Sequence, residues 1–444
     1  MNNKNKTIPS ILPGFMELLP KDQMLFNGLL DTIRQNYERF GFIPVDTPVM
    51  EKAEVLLAKA GGETEKQIYR FLKGDNDIAL RFDLTVPLSR YVAEHKPDLK
   101  FPFRRYHIGK VYRGEKPQRG RFREFYQCDV DIIGNGSLEI IYDAEMPAII
   151  YGTLSALGFK NFTVKINNRK ILNGFFSSLG LESEQAANVL RIIDKLDKIG
   201  LPQVKEELTA IVNKPETVDL ISEFIAIKGD NKTILDSLVK LGIKNDIFQT
   251  GVAELSQVLT YAADFGVPEE NLAIDLTIAR GLDYYTGTVY ETNLNDYPQI
   301  GSICSGGRYD NLTEYYTDTP MPGVGVSIGL TRLFYQLREA GLIKPVGATP
   351  SQVVVIPLSP ANLKSAITFT ATLREAGINS ETYLADVKTS KKFDYANDLG
   401  IRFAAIIGPD EEKQGTVAIK NLVTGEQNQA TVAEAIELLK NKQN

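Results

Sequence analysis

Residues 105–133 read RYHIGKVYRGEKPQRGRFREFYQCDVDII. Two strand-like runs, 105–113 and 124–133, flank a polar loop, Gly114–Gly120, that holds a proline and two glycines. Strands joined by such a loop pair as an antiparallel hairpin. In the second run Phe125, Gln127 and Asp129 oppose Tyr126, Cys128 and Val130, so the two sets face opposite sides of a sheet. The stretch predicts an antiparallel core, not the β-α-β alternation of a doubly wound parallel sheet. It also reverses the local charge. Residues 100–124 carry nine Lys or Arg against two acids, Glu115 and Glu124, in a chain whose net charge is -6.

Outward from the hairpin, residues 22–40 place Leu25, Leu29, Ile33, Tyr37 and Phe40 at helical spacing, and Gly41 stops the helix. Residues 42–50 are extended, with two prolines that confine them to an edge or irregular strand. A strand is expected at 78–82 and a helix at 138–157. A charged helical lobe is expected as an insertion at about 167–260, and strands return at 272–278, 285–292 and 324–328. Gly and Pro cluster at 341–350 and mark a boundary. Beyond it the pattern is β-α-β, with strands at 352–357, 379–384, 402–407 and 416–420 and helices at 361–376, 390–399 and 431–442. The fold class is therefore α/β with an α+β core, divided into 1–345 and 350–444.

Composition narrows the chemistry. The chain has 444 residues, and its 43% hydrophobic and 24% charged content is that of an ordinary globular protein rather than a disordered one. Its two cysteines, Cys128 and Cys304, cannot form a disulfide framework. With its two histidines, His95 and His107, they cannot form a structural zinc site of usual spacing. No resident metal site is expected. The polar Met1–Ser10 lacks the apolar core of a secretory signal, and no apolar run approaches the roughly 18 residues of a membrane span. A cytoplasmic, reducing compartment and no membrane partner are expected.

Three constellations could carry chemistry. Arg113 and Arg121 flank the hairpin loop and can fork onto phosphate oxygens, with Tyr106, Tyr112, Phe122, Phe125 and Tyr126 interleaved to stack a base. The second, 279–291, holds Arg280, Asp283, Tyr284 and Tyr285; on a regular strand the two tyrosines would face opposite sides. The third is Gly306-Gly307-Arg308-Tyr309-Asp310 with Gly323 to Arg332. In isolation it reads as a pair of Gly-rich turns, and its spacing is not a dinucleotide fingerprint. Two short stretches, His107-Ile108-Gly109-Lys110 and Lys388-Thr389-Ser390-Lys391-Lys392, imitate class I aminoacyl-tRNA synthetase signatures. The first lies inside an antiparallel strand pattern and the second in the small C-terminal domain, so both are rejected.

Together these segments resemble a class II aminoacyl-tRNA synthetase, specifically the histidyl family. Gly41–Met50 resembles motif 1, Tyr112–Asp129 motif 2 and Gly325–Arg332 motif 3. Arg280–Tyr285 and Gly306–Asp310 resemble the two histidyl signatures, and Leu80–Thr85 the amino-acid-binding stretch. The resemblance covers nearly all of residues 8–442. It implies a class II antiparallel sheet flanked by helices, with the helical insertion and a C-terminal α/β anticodon-binding domain. It implies activation of L-histidine by ATP, with Mg2+, and transfer to tRNA(His) by a homodimer. Arg113 would hold the ATP α-phosphate, Glu115 the adenine or a metal-bound phosphate, and Arg121 the γ-phosphate end. Phe125 would stack on adenine with Arg332 on the other face. Arg280 would meet the α-phosphate and the substrate carboxylate, and with Arg113 it is the expected catalytic group. Histidine would be bound by Asp83 and Thr85 at its amino end, and by Gln127, Asp131, Tyr284, Tyr285 and Tyr309, with Asp131 as imidazole acceptor. One departure is Thr331, where the family often has Glu before the motif 3 arginine; it implies a changed supporting contact.

A paralog of this fold, a non-catalytic regulatory subunit of ATP phosphoribosyltransferase, is the alternative. Such paralogs typically lose the arginines and the C-terminal domain that are present here. From Ser351 onward the chain has ten Lys or Arg and eleven Asp or Glu. RNA contact there would rest on a few placed groups such as Lys391 and Lys392.

Overall fold

The structure is a computed structural model that describes residues 7–58, 62–193, 195–212, 214–278, 284–345 and 347–441. It divides into two units. One comprises Met1–Met16 with Leu29–Ala340, the other Glu17–Gly28 with Gly341–Asn444.

The first unit is built on two sheets. In chain order the strands are β1 (Ile43–Pro44), β2 (Met50–Lys52), β3 (Arg70–Lys73), β4 (Asn76–Leu80), β5 (Phe103–Tyr112), β6 (Glu124–Ile133), β7 (Phe162–Asn168), β8 (Leu272–Ile274), β9 (Thr288–Leu294), β10 (Ser302–Tyr309) and β11 (Gly323–Ile328). The main sheet runs β1-β5-β6-β11-β10-β9-β7-β8, and β2-β4-β3 form a small second sheet. Only β1 with β5 and β7 with β8 pair in parallel; the rest of the main sheet is antiparallel. The 105–133 stretch is the expected hairpin, paired from Phe103 opposite Ile133 to Tyr112 opposite Glu124. Its two prolines keep the 42–50 segment at the sheet edge, where β1 is a short outer strand.

The even positions of β6, Cys128, Val130 and Ile132, are fully buried on the face opposite the cavity described below. Tyr37, on the helix Pro20–Arg39, donates to the Cys128 carbonyl at 3.0 Å. The helix Ile141–Ala156 packs on the sheet and is tied to β5 by a forked Arg104–Glu145 pair. Its buried Asp143 meets Arg308 of β10 at 2.8 Å and accepts from Thr288 of β9 at 2.6 Å. Of the helices between β7 and β8, the first and last, Arg169–Ser178 and Asp246–Asp264, pack on each other. Gly174 lies against the Phe248 backbone, and a Cβ on Gly251 would come 2.7 Å from Ile171 N. The last also packs on the helix Ile141–Ala156, so both belong to the layer that backs the sheet.

Residues 306–309 are not a turn. They form the end of β10, a central strand, because arginine and tyrosine there face buried partners rather than solvent.

The second unit has β12 (Val353–Pro357), β13 (Ser380–Thr382), β14 (Phe403–Ile407), β15 (Thr416–Asn421) and β16 (Gln427–Thr431), in the order β13-β12-β14-β15-β16. β12 pairs in parallel with both neighbours, as the β-α-β pattern predicts. Val353 and Val355 face one core and Val354 and Ile356 the other, so both faces of the strand are covered. Lys392, expected to face RNA, is 2% exposed and donates through Nζ to the Pro357 carbonyl at 2.7 Å. It holds its helix to β12. Lys391 is exposed.

Candidate active site

Phe125, Gln127 and Asp129 of β6 face a cavity of about 410 Å³ in the first unit. Of the residues singled out in the sequence, Asp83, Thr85, Arg113, Glu115, Arg121, Phe125, Gln127, Tyr284, Tyr285 and Arg332 line it. Arg280 and Asp283 lie outside the described residues.

Each group has a local reason for its position. Arg113 follows β5 directly. Its Nε donates to the Phe82 carbonyl at 3.2 Å, and its guanidinium lies 4.4 Å from the Phe82 ring centroid and 5.1 Å from that of Phe125. Burial lowers its pKa while Asp83 and Glu115 oppose the shift; an arginine stays charged nonetheless. Arg121 and Glu115 bridge the loop at 3.2 Å, which presents both at the cavity mouth. Asp83 is buried and accepts the Val86 N–H at 2.9 Å at the start of the helix Thr85–His95. Burial raises its pKa, against the pull of that N–H and of Arg113. Arg332 donates to the Ile300 carbonyl at 3.2 Å.

Tyr284 and Tyr285 both line the cavity because residues 284–287 are irregular, not strand. Their rings lie 5.0 Å apart at 68°. The strict alternation of a β-strand therefore does not apply to them.

Asp131 and Tyr309 are brought to each other rather than to the lining. The Tyr309 hydroxyl donates to Asp131 Oδ1 at 2.8 Å, and Asp131 Oδ2 lies 2.7 Å from Nη2 of the fully buried Arg105. The glycines of β10 and β11 explain how these side chains fit. A Cβ at Gly325 would strike the Asp131 carboxylate, and one at Gly323 the Tyr309 ring. One at Gly307 would come 2.9 Å from the Tyr285 ring. The glycines make room for side chains lying across the sheet.

Sequence reasoning missed several lining groups, among them Asp129, Glu291, Ser305 and Ser327. The alternation in β6 already placed Asp129 on the Gln127 face. Nothing in the sequence indicated that Ser327 would lie opposite it, since that pairing is made by β11. Thr331 accepts the Tyr126 N–H at 2.8 Å and so fixes β6 between Phe125 and Gln127. His107 of the rejected class I look-alike is buried beside Asp46 at 2.8 Å. Burial, Arg105 and Arg81 push its pKa down to about 3, so it is neutral.

Known proteins match this architecture along its length. The family described as Histidyl-tRNA synthetase matches residues 14–333, and one described as Anticodon binding domain matches residues 352–442. A histidine–tRNA ligase of Clostridium tetani (strain Massachusetts / E88) is 60% identical over 434 residues, 98% of each chain. The crystal structure of histidyl-tRNA synthetase from Nostoc sp. PCC 7120 superposes with a TM-score of 0.90 at 43% identity, covering 98% of this chain and 100% of that one. An ATP phosphoribosyltransferase regulatory subunit/histidyl-tRNA synthetase from Bacillus halodurans C shares the fold at a TM-score of 0.75 and 22% identity, covering 91% of this chain and 99% of that one. With a family match over most of its length and a relative this close, the chain belongs to the histidyl-tRNA synthetase family.

Proposed function

We propose that this chain is a histidine–tRNA ligase, which joins L-histidine to ATP as the adenylate and passes it to tRNA(His). The observation that carries the reading is one cavity lined by Arg113, Arg121 and Arg332 together with the buried Asp83 and the paired Tyr284 and Tyr285. The histidine carboxylate attacks the α-phosphate in line, breaking the bond to the β-phosphate and expelling pyrophosphate, which leaves histidyl-adenylate. No side-chain nucleophile is needed; positioning and charge stabilisation do the work. Arg113 and Arg280 meet the charge that grows on the α-phosphate, Arg121 the γ-phosphate end, and Phe125 with Arg332 the adenine. Glu115 meets the adenine or a metal-bound phosphate. Asp83 and Thr85 take the α-ammonium group. In the transfer step the tRNA 3′ hydroxyl attacks the carbonyl carbon of the adenylate, forming the aminoacyl ester and releasing AMP.

Mg2+ fits this wall as an ion carried in with ATP. Glu115 and Glu291 line the cavity and would offer the oxygen ligands it prefers. When bound it neutralises phosphate charge. Residues 350–444 read the anticodon, and residues 1–345 hold the chemistry. The chain acts as a homodimer through the 41–50 segment, in the cytoplasm. The arginines at 113, 121, 280 and 332 set it apart from a regulatory subunit.

Pyrophosphate–ATP exchange tests the reading, with each amino acid offered in turn. Only histidine is expected to drive exchange, and Arg280→Ala is expected to abolish it while circular dichroism shows an intact fold. Exchange driven by another amino acid, or normal exchange in the variant, refutes the assignment.

A further inference from the structure

The chain upstream of the first helix crosses the loop between β5 and β6. Residues 7–13 are exposed, and Pro13 and Gly14 touch the loop. The Gly14 carbonyl accepts the Arg123 N–H at 2.7 Å, and the Pro13 carbonyl accepts from Arg123 Nη1 at 3.3 Å. Arg123 Nε also donates to the Glu115 carbonyl at 3.2 Å, and the Arg123 carbonyl accepts the Arg113 N–H at 2.9 Å. One arginine thus ties this N-terminal strap to both ends of the loop. Arg113, Glu115, Arg121 and Phe122 line the cavity, whereas Arg123 does not.

Gly14 is where two demands for glycine meet. Its φ of +87° is a left-handed conformation that a side chain disfavours. A Cβ there would also stand 2.9 Å from Pro117 Cγ and 3.0 Å from Cγ and Cδ of Arg123. The strap therefore fits the loop only without a side chain at this position. The loop has little of its own to hold it: between Arg113 and Arg123 its strand pairing is the single bridge of Gln118 with Arg121. A segment so sparsely bonded loses much conformational freedom when it must present charges in one geometry, unless an outside contact fixes it first.

Resting on the histidine-ligase reading, which gives Glu115 and Arg121 to ATP, we propose that Gly14 and Arg123 are positioning residues: they pin the N-terminal strap to the loop and so preset those two groups for the nucleotide. Asp83 and Thr85, which take the α-ammonium group of histidine, stand outside the loop at the start of the helix Thr85–His95. Loosening the strap therefore weakens ATP and spares histidine.

The test measures exchange kinetics on three full-length variants, Gly14→Ala, Arg123→Ala and Gly158→Ala. Gly158 has a φ of +89° with nothing within 4 Å of a Cβ, so its variant carries the backbone strain without the contact. Gly14→Ala is expected to raise KM for ATP about fivefold or more. KM for histidine should stay within about twofold, as should both KM values in Gly158→Ala. Arg123→Ala, which removes the side-chain ties alone, is expected to raise KM for ATP about threefold. The urea midpoint of Gly14→Ala should fall no further than that of Gly158→Ala, because the strap detaches locally. A KM for ATP within about twofold of the original in Gly14→Ala, or in Arg123→Ala should the first not fold, overturns the assignment. So does an equal rise in KM for histidine, or the same rise for ATP in Gly158→Ala. Absence of histidine-dependent exchange in the unmodified chain overturns the ligase reading itself and the assignment with it.

Discussion

Gly325 and Asp131 show how a single residue's value depends on what lies across the sheet from it. The glycine is needed because an aspartate carboxylate lies over it, and the aspartate can lie there because Arg105 and Tyr309 hold it. Asp129, two positions back, has the same chemistry and another fate: its Oδ1 is buried without a hydrogen-bond partner. Its titration has a consequence for stability. The folded value of about 7 lies above the roughly 3.9 of an unfolded aspartate, so between those limits the folded chain holds the proton that the unfolded chain has released. This group's contribution is thus complete below about pH 4 and is lost as pH rises to about 7. Asp129→Asn removes that slope. Urea midpoints taken at about pH 5 and about pH 8 are expected to lie closer together in the variant than in the unmodified chain.

At the scale of elements, the site depends on strand register and on one break in it. β6 places Phe125, Gln127 and Asp129 on the cavity face, and Thr331 anchors its start through the Tyr126 N–H. Residues 284–287 are irregular before β9 begins at Thr288, and both tyrosines line the cavity. A single buried pair, Asp143 with Arg308, joins the helix Ile141–Ala156 to β10, with Thr288 and Tyr290 of β9 also bonded to Asp143. Asp143→Ala leaves Arg308 buried and uncompensated, and is expected to destabilise the fold by about 3–5 kcal/mol. Chemical denaturation checks this. A loss below about 1 kcal/mol would mean that Arg308 finds other partners, such as Asp310.

At the scale of the whole molecule, charge is local. The net charge of -6 coexists with a cation-rich hairpin around the cavity. In the second unit Lys392 is withdrawn into the core, which leaves fewer cations for a phosphate backbone than the sequence offers. Few placed contacts should give a modest salt dependence. Raising KCl from about 50 to about 200 mM is expected to raise KM for tRNA severalfold. Histidine-dependent exchange should change less, since histidine is held by short-range contacts in a buried site. A salt-independent KM for tRNA would show that backbone phosphates contribute little to its binding.

The sequence by itself determined the antiparallel hairpin, the α/β character of 352–442 and the family. Each rests on local patterning: strand alternation, turn residues and motifs contiguous along the chain. It also named ten of the cavity-lining residues, because the family motifs carry them. Only the tertiary structure decided that Gly306–Tyr309 is strand, that Tyr284 and Tyr285 share one side, that Lys392 is core, and that Asp131 is fully engaged while Asp129 keeps one oxygen without a partner. The physical reason is the same in each case. Whether a buried polar group is satisfied depends on partners from strands and helices remote in sequence, and β11 and β5 bring Ser327 and Arg105 to β6 only when the sheet closes.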